Sequence, residues 1–207
     1  MEEKVFQILE KVGKLYHSYG IKSVTMDDVA RHLNMSKKTL YEYFKDKKDL
    51  VRQVLLQEQE KINEFFEEIL TKKLNAVEEL FEVYKIINVM CQDYNPSMEY
   101  DIRKYYPDIF TWIKEIRRKR MYTAAYNNMV KGKREGLYRK DLIASIIAKL
   151  HVSRTETLIT NDIFSMEELT SCKVFQEILI YNLQGILSHK GRTFFEANFE
   201  KIKSSQK

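Results

Sequence analysis

Apolar side chains recur every three or four residues along most of this chain, the spacing at which one face of an α-helix collects them. From Glu3 to Tyr19 the residues Val5, Ile8, Leu9, Val12 and Tyr16 share a face, and Gly20 follows as a stop that tolerates positive φ. Thr25 stands three residues before Asp28, so a hydroxyl and a carboxylate are placed to cap a short helix whose apolar side is Val29, Ala30 and Leu33. That helix is expected to end near Asn34. Ser36 is placed to cap a third helix carrying Leu40, Tyr41 and Phe44, and Asp46 with Asp49 to cap a fourth that runs on to residue 70.

Beyond that point the period predicts long helices over 75–92, 108–131, 141–159 and 166–189. Asn95-Pro96-Ser97 and Tyr106-Pro107 are read as punctuation, Gly132 and Gly136 as flanks of a basic loop, and Asn161-Asp162 as the break between the last two helices. The tail from Ser204 is expected to fray. Leu, Ile, Lys, Glu and Met recur throughout while Pro and Gly are few, so helices are favoured over turn-rich sheets and the expected fold class is all-α.

Composition narrows the classes of function. The 207 residues are 44% hydrophobic, enough for a packed core, and two prolines with six glycines leave long helices uninterrupted. A formal charge of +5 permits contact with nucleic acid without demanding it. Cys91 and Cys172 lie far apart with no C-x-x-C, so no zinc site or disulfide framework is expected, and reduced thiols in a cytoplasm fit best. The N-terminus lacks a secretory pattern, and no apolar run approaches the roughly 18 residues a membrane span needs, so no membrane partner is expected. An enzyme is the competing class. None of His17, His32, His151 and His189 follows a glutamate by three residues, and there is no H-E-x-x-H, phosphate-cradling glycine loop or Gly-x-Ser-x-Gly elbow. Neither catalytic residues nor a metal or cofactor is expected.

The N-terminal helices carry the functional pattern. A helix-turn-helix needs a small residue where its helices cross, a turn residue at ease in the left-handed region, and apolar wedges on both sides. Ala30 is the small residue, Asn34 the turn residue, and Val29, Leu33, Met35, Leu40 and Tyr43 the wedges. On the helix after Ser36, the residues Lys37, Lys38, Thr39 and Tyr41 are then placed to reach base edges or phosphates in a major groove. Thr25, Tyr43, Lys47 and Lys48, with Lys45 beside them, are better placed as phosphate contacts that fix register.

The run Thr25-Met-Asp-Asp-Val-Ala-Arg-His-Leu-Asn-Met-Ser-Lys-Lys-Thr-Leu-Tyr-Glu-Tyr-Phe44, continued by Lys47 and Leu50 and preceded by Leu15-Tyr-His-Ser-Tyr-Gly20, resembles the signature of the tetracycline-repressor-like (TetR) family. Asn34 stands where that family usually has Gly, and Asp46 where it usually has Ser. The resemblance implies a DNA-binding domain over 1–48 and a helical ligand-binding and dimerisation domain over 49–207. It also implies a homodimer whose last two long helices form a four-helix bundle, with an effector cavity among the middle helices. Lys133-Arg-Glu-Gly-Leu-Tyr-Arg-Lys-Asp-Leu142 resembles the family's loop into its first dimer helix.

The expected protein is therefore a sequence-specific regulator, a ligand-responsive repressor acting as a homodimer on a palindromic operator of double-stranded DNA. A constitutive regulator without ligand and a helical protein-interaction module are the alternatives. Candidate dimer residues are Ile143, Ile146, Ile147 and Leu150 on one helix and Val174, Ile178, Tyr181 and Leu187 on the next, stripes that a monomer core would need equally. Aromatic density in the middle of the chain makes Tyr84, Trp112, Tyr122 and Tyr126 the candidates for contact with an unidentified small-molecule effector. Arg117-Arg-Lys-Arg120 is expected to be a solvated helix face.

Overall fold

The computed structural model describes residues 2–92, 96–160, 163–165, 167–168 and 173–204. Its helices are α1 (Glu2–Tyr19), α2 (Met26–His32), α3 (Lys37–Tyr43), α4 (Lys47–Thr71), α5 (Ala76–Gln92), α6 (Pro96–Tyr105), α7 (Pro107–Arg134), α8 (Ala144–Thr160), α9 (Lys173–Ile186) and α10 (His189–Ser204). Among the described residues the only extended pairing is an isolated antiparallel bridge between Tyr138 and Leu187. None of the described helices is long and apolar enough to cross a membrane.

Two compact units divide the chain: Met1–Glu64 with Asp93–Arg117, and Phe65–Gln92 with Arg118–Lys207. The first is wider than the 1–48 motif, because Met98 and Ile102 of α6 and Ile109 and Ile113 of α7 join Val12, Tyr16, Leu40, Phe44 and Leu50 in one buried core. In the second, Val77 and Phe81 of α5 pack with Met129, Tyr138, Leu183, Leu187 and Phe195. The Phe81 and Phe195 rings stack there with centroids 5.9 Å apart.

Local chemistry explains the helix ends in the first unit. Gly20 closes α1 at φ 78°, its N–H donating to the Tyr16 carbonyl at 2.9 Å. Thr25 and Asp28 form the expected capping box on α2, Thr25 N–H donating to Asp28 Oδ2 at 2.9 Å and Asp28 N–H to Thr25 Oγ1 at 3.2 Å. At the start of α4, Asp46 Oδ1 accepts the Asp49 N–H at 2.8 Å.

Three expectations are corrected. Tyr106-Pro107 does break the helical pattern as read, but the stretch between the two prolines is a helix that the period does not predict: Pro96 and Pro107 are each the first residue of a helix, where the missing N–H costs nothing and the fixed φ suits the first turn. Gly132 lies inside α7, and the Tyr138 ring covers it so closely that an added Cβ would sit 2.1 Å from Tyr138 Cδ2. The last long helix stops at Ile186: Ser188 N–H donates to the Leu137 carbonyl at 2.9 Å, and its hydroxyl donates to the Gly136 carbonyl at 2.6 Å and caps α10. Leu187 is accordingly core, 3% exposed, and no dimer candidate.

A buried polar cluster fixes the start of α5 in the second unit. Asn128 Nδ2 donates to the Ala76 carbonyl at 2.8 Å and to Glu79 Oε2 at 3.0 Å. The Tyr138 hydroxyl lies 2.8 Å from Asn128 Oδ1 and 3.0 Å from the same carbonyl. Lys131 Nζ donates to Glu79 Oε1 at 2.5 Å and to the Leu74 carbonyl at 2.6 Å. Burial, with the Glu79 and Glu135 carboxylates nearby, pushes the Tyr138 hydroxyl well above its ordinary pKa, so it stays a neutral donor.

Candidate nucleic-acid interface

Asn34 turns the chain between α2 and α3 at φ 52°, the one positive φ outside glycine among the described residues. Its N–H donates to the Arg31 carbonyl at 3.1 Å, and that of Met35 to Ala30 at 3.0 Å, which closes α2. Val29, Ala30 and Leu40 are buried at the crossing, while Leu33, Met35 and Tyr43 pack against the same core from its edge. The three requirements read from sequence are thus met together.

Ser36 caps α3 by accepting the Thr39 N–H at 3.0 Å, and its hydroxyl also meets Thr39 Oγ1 at 2.8 Å. Lys37, Lys38, Tyr41 and Glu42 are exposed, whereas Thr39 is half-buried. With Leu40 buried and Lys37, Lys38, Tyr41 and Glu42 exposed, α3 offers one face to its own core and the other to solvent.

The lysines differ in their engagements. Lys37 Nζ lies 2.9 Å from Asp27 Oδ1 and 3.1 Å from Oδ2, and the bond to that carboxylate raises its pKa. Lys48 pairs with Asp108 at 2.8 Å, and that bond holds the Asp108 carboxyl below its usual range. Lys47 donates to the Ile21 carbonyl at 2.6 Å and to that of Lys22 at 3.4 Å, so it braces the turn between α1 and α2; burial lowers its pKa. Lys38 forms no ion pair or hydrogen bond among the described residues.

The other candidates sit as follows. Thr25 Oγ1 donates to Asp28 Oδ2 at 2.6 Å while accepting the Asp28 N–H, so its hydroxyl is committed to the cap; the same bonds lower the Asp28 pKa. Tyr43 is half-buried, its ring 5.5 Å from Lys4 Nζ. Sequence reasoning missed Asp27 and Asp108 as partners of the lysines. It also missed Asp101 on α6, whose buried carboxylate accepts the Lys22 N–H at 2.8 Å and so steadies the turn ahead of α2. The signal for Asp27 is faint in sequence, because a pair ten positions apart becomes meaningful only once the turn at Asn34 is built.

The effector candidates fall in different units. Trp112 belongs to the first, where the Arg52 guanidinium lies 4.6 Å from its ring centroid. Tyr84, Tyr122 and Tyr126 belong to the second; Tyr84 is buried, and the Tyr122 and Tyr126 rings stack at 6.0 Å. Among the dimer candidates, Ile143 just before α8, Ile146 and Leu150 on it and Tyr181 on α9 are exposed at 50% or more. Ile147, Val174 and Ile178 are half-buried. In the Arg117–Arg120 run, Arg118 makes two hydrogen bonds to the Glu156 carboxylate, at 2.8 and 2.7 Å. Arg120 lies 5.7 Å from the Phe66 ring centroid. Two of these cations are therefore engaged within the protein rather than simply solvated.

Residues 8–54 match the family described as bacterial regulatory proteins, tetR family. No curated protein matches the chain in sequence. Solved structures similar in fold include a transcriptional regulator from Cytophaga hutchinsonii, at TM-score 0.74 and 20% identity over 89% of this chain and 99% of that one. A TetR transcription regulator from Haloarcula marismortui superposes at TM-score 0.72 with 16% identity, covering 91% of this chain and 100% of the other. AibR, solved in complex with isovaleryl coenzyme A and operator DNA, aligns at TM-score 0.54 and 15% identity over 81% and 94%. At these identities the likeness is one of fold.

Proposed function

We propose that this chain, whose residues 8–54 match the tetR family of bacterial regulatory proteins, is a DNA-binding transcriptional regulator that acts as a homodimeric, ligand-responsive repressor on a palindromic operator. One observation carries the reading: a left-handed turn at Asn34 sets α3 on a buried crossing while leaving Lys37, Lys38 and Tyr41 exposed on its outer face, Lys37 in an ion pair with Asp27. Lys38, unpaired within the described protein, is the candidate for a base edge, since an ammonium can donate to guanine O6 and N7. Lys48, Lys37 and Tyr43 are assigned to phosphates. Thr25, bound to Asp28 in the cap of α2, and Ser36 and Thr39, bound to each other in the cap of α3, contribute chiefly by holding those helices in shape.

The exposed stripe Ile143, Ile146 and Leu150, with Tyr181, supports a two-fold interface built on α8 and α9, flanked by Ile147, Val174 and Ile178. One short recognition helix reads few base pairs, and a two-fold partner supplies a second half-site about 34 Å or a multiple of it away.

Selecting bound duplexes from a random DNA pool tests the reading, with two symmetric half-sites at that spacing as the expected result. Recovery of no preferred sequence would remove it. On the selected duplex, Lys38→Ala is expected to cost about 1–3 kcal/mol and to relax the preference at one base pair, as read by titration against single-base variants. Loss of affinity equal across all variants would reassign Lys38 to phosphate.

The effector is assigned to the second unit, where the Tyr122–Tyr126 pair and Tyr84 offer ring faces and hydroxyls. That AibR was solved with both an acyl-coenzyme A and operator DNA lends the two-ligand scheme a precedent in a protein of the same fold. Reciprocity requires that a compound which weakens operator binding also be weakened by the operator, and that it raise the melting temperature of the free protein. A compound screen read by melting temperature and operator binding together is expected to return such a molecule; its absence favours the constitutive alternative.

A further inference from the structure

Two of the cations assigned to DNA are already occupied. Lys37 is held by both oxygens of Asp27, at 2.9 and 3.1 Å, across the first turns of α3 and α2. Lys48 is held by Asp108 at 2.8 Å, across the first turns of α4 and α7. The second pair is kept in register one turn further along both helices, where Arg52 covers Trp112 at 4.6 Å. All four paired side chains are more than half exposed, so solvent and a duplex can reach them.

We propose that Asp27 and Asp108 mask Lys37 and Lys48, so that phosphate is bound at these two positions only by exchange against a carboxylate of the protein itself, while Lys38 stays open. The inference rests on the reading of α2–α4 as the DNA-binding head. Exchange replaces one ion pair with another of the same sign, so each masked lysine adds less to binding than a free one. The released carboxylate also stays within a few ångströms of the arriving phosphate, well inside the roughly 10 Å over which 0.1 M salt leaves charges unscreened, and repels it. Phosphate contacts carry no sequence information, so masking lowers affinity for every duplex by one factor and leaves discrimination to the open base-reading residue. It keeps a chain of net charge +5 from holding DNA indiscriminately.

The test uses the full chain, the selected operator and a random duplex of equal length, titrated between 50 and about 200 mM KCl. Asp27→Asn and Asp108→Asn, which preserve side-chain shape, are each expected to tighten binding to both duplexes by about two- to five-fold at the low-salt end, the range spanned by exposed ion pairs. Each is also expected to steepen the dependence of log K on log salt by up to about 0.9. The gain from Asp27→Asn must shrink in a Lys37→Ala background, and that from Asp108→Asn in Lys48→Ala, because only the carboxylate's repulsion of phosphate is left to relieve once the cation is gone. Binding equal to or weaker than wild type in both aspartate variants, with unchanged melting temperatures, overturns the masking. A gain undiminished by removal of the lysine overturns it too, since the carboxylate would then act on DNA by repulsion alone, without holding a cation. Failure of the wild-type chain to bind any duplex in a salt-dependent way is a different result; it removes the DNA-binding reading and the masking with it.

Discussion

Gly191→Ala is expected to destabilise the protein by about 3 kcal/mol, enough to leave the second unit poorly folded. The sign runs against helix propensity. Alanine inside a helix is favoured over glycine by about 1 kcal/mol, and Gly191 lies in the first turn of α10. Its added Cβ, however, would sit 2.0 Å from the Leu137 carbonyl oxygen, 2.9 Å from that carbonyl carbon and 2.9 Å from Leu187 Cδ2. The carbonyl has little room to retreat, because it accepts the Ser188 N–H at 2.9 Å and belongs to the turn that seats Tyr138 over Gly132. Tyr138 in turn is tied through its hydroxyl to Asn128 and Ala76. Gly185 supplies the control: it is helical and nothing lies within 4 Å of its added Cβ, so Gly185→Ala should be neutral or stabilising. Urea unfolding followed by helical circular dichroism separates the two, and equal stabilities for both variants would show that the contact at Leu137 relaxes freely.

The same region shows where sequence reasoning stops. Gly132 and Gly136 look alike as breaks in a helical pattern, yet one sits under an aromatic ring in the last turn of α7 and the other takes φ 73° in the turn after it. Only a residue six positions on, Tyr138, distinguishes them. Leu187-Ser188 ends a helix with neither Gly nor Pro, because its stop signal is the backbone of Gly136 and Leu137, about fifty residues earlier. The head, by contrast, is written in local chemistry. Thr25 with Asp28, Ser36 with Thr39, Asp46 with Asp49 and the left-handed Asn34 all act within four residues of one another, so their spacing alone predicts the geometry. What spacing leaves out is competition for the same groups. Lys47 reads as an exposed cation until the turn at Ile21 and Lys22 takes its ammonium, and Asp101 on α6 secures that turn from a helix the two prolines disguised.

Aspartate at Ile146 and Leu150 together is expected to leave a folded monomer that binds operator at least about a hundred-fold more weakly than wild type, the loss that accompanies separating two linked half-sites. Both side chains are half-exposed, 50% and 54%, on one face of α8, so charge there costs the isolated chain little beyond a few tenths of a kcal/mol in helix propensity. In a two-fold interface each substitution is counted twice, and unpaired carboxylates pressed against Tyr181 and the partner's apolar stripe would cost several kcal/mol. Tyr181, 73% exposed with Arg154 5.4 Å from its ring centroid, belongs to the same face, and Tyr181→Asp should act in the same direction. Light scattering is expected to give twice the chain mass of 24.8 kDa for wild type and the single mass for the double variant, at equal helical content. A variant that remains dimeric and retains operator affinity would move the interface off α8. One that turns monomeric yet binds with undiminished affinity would instead break the link between two-fold symmetry and DNA recognition.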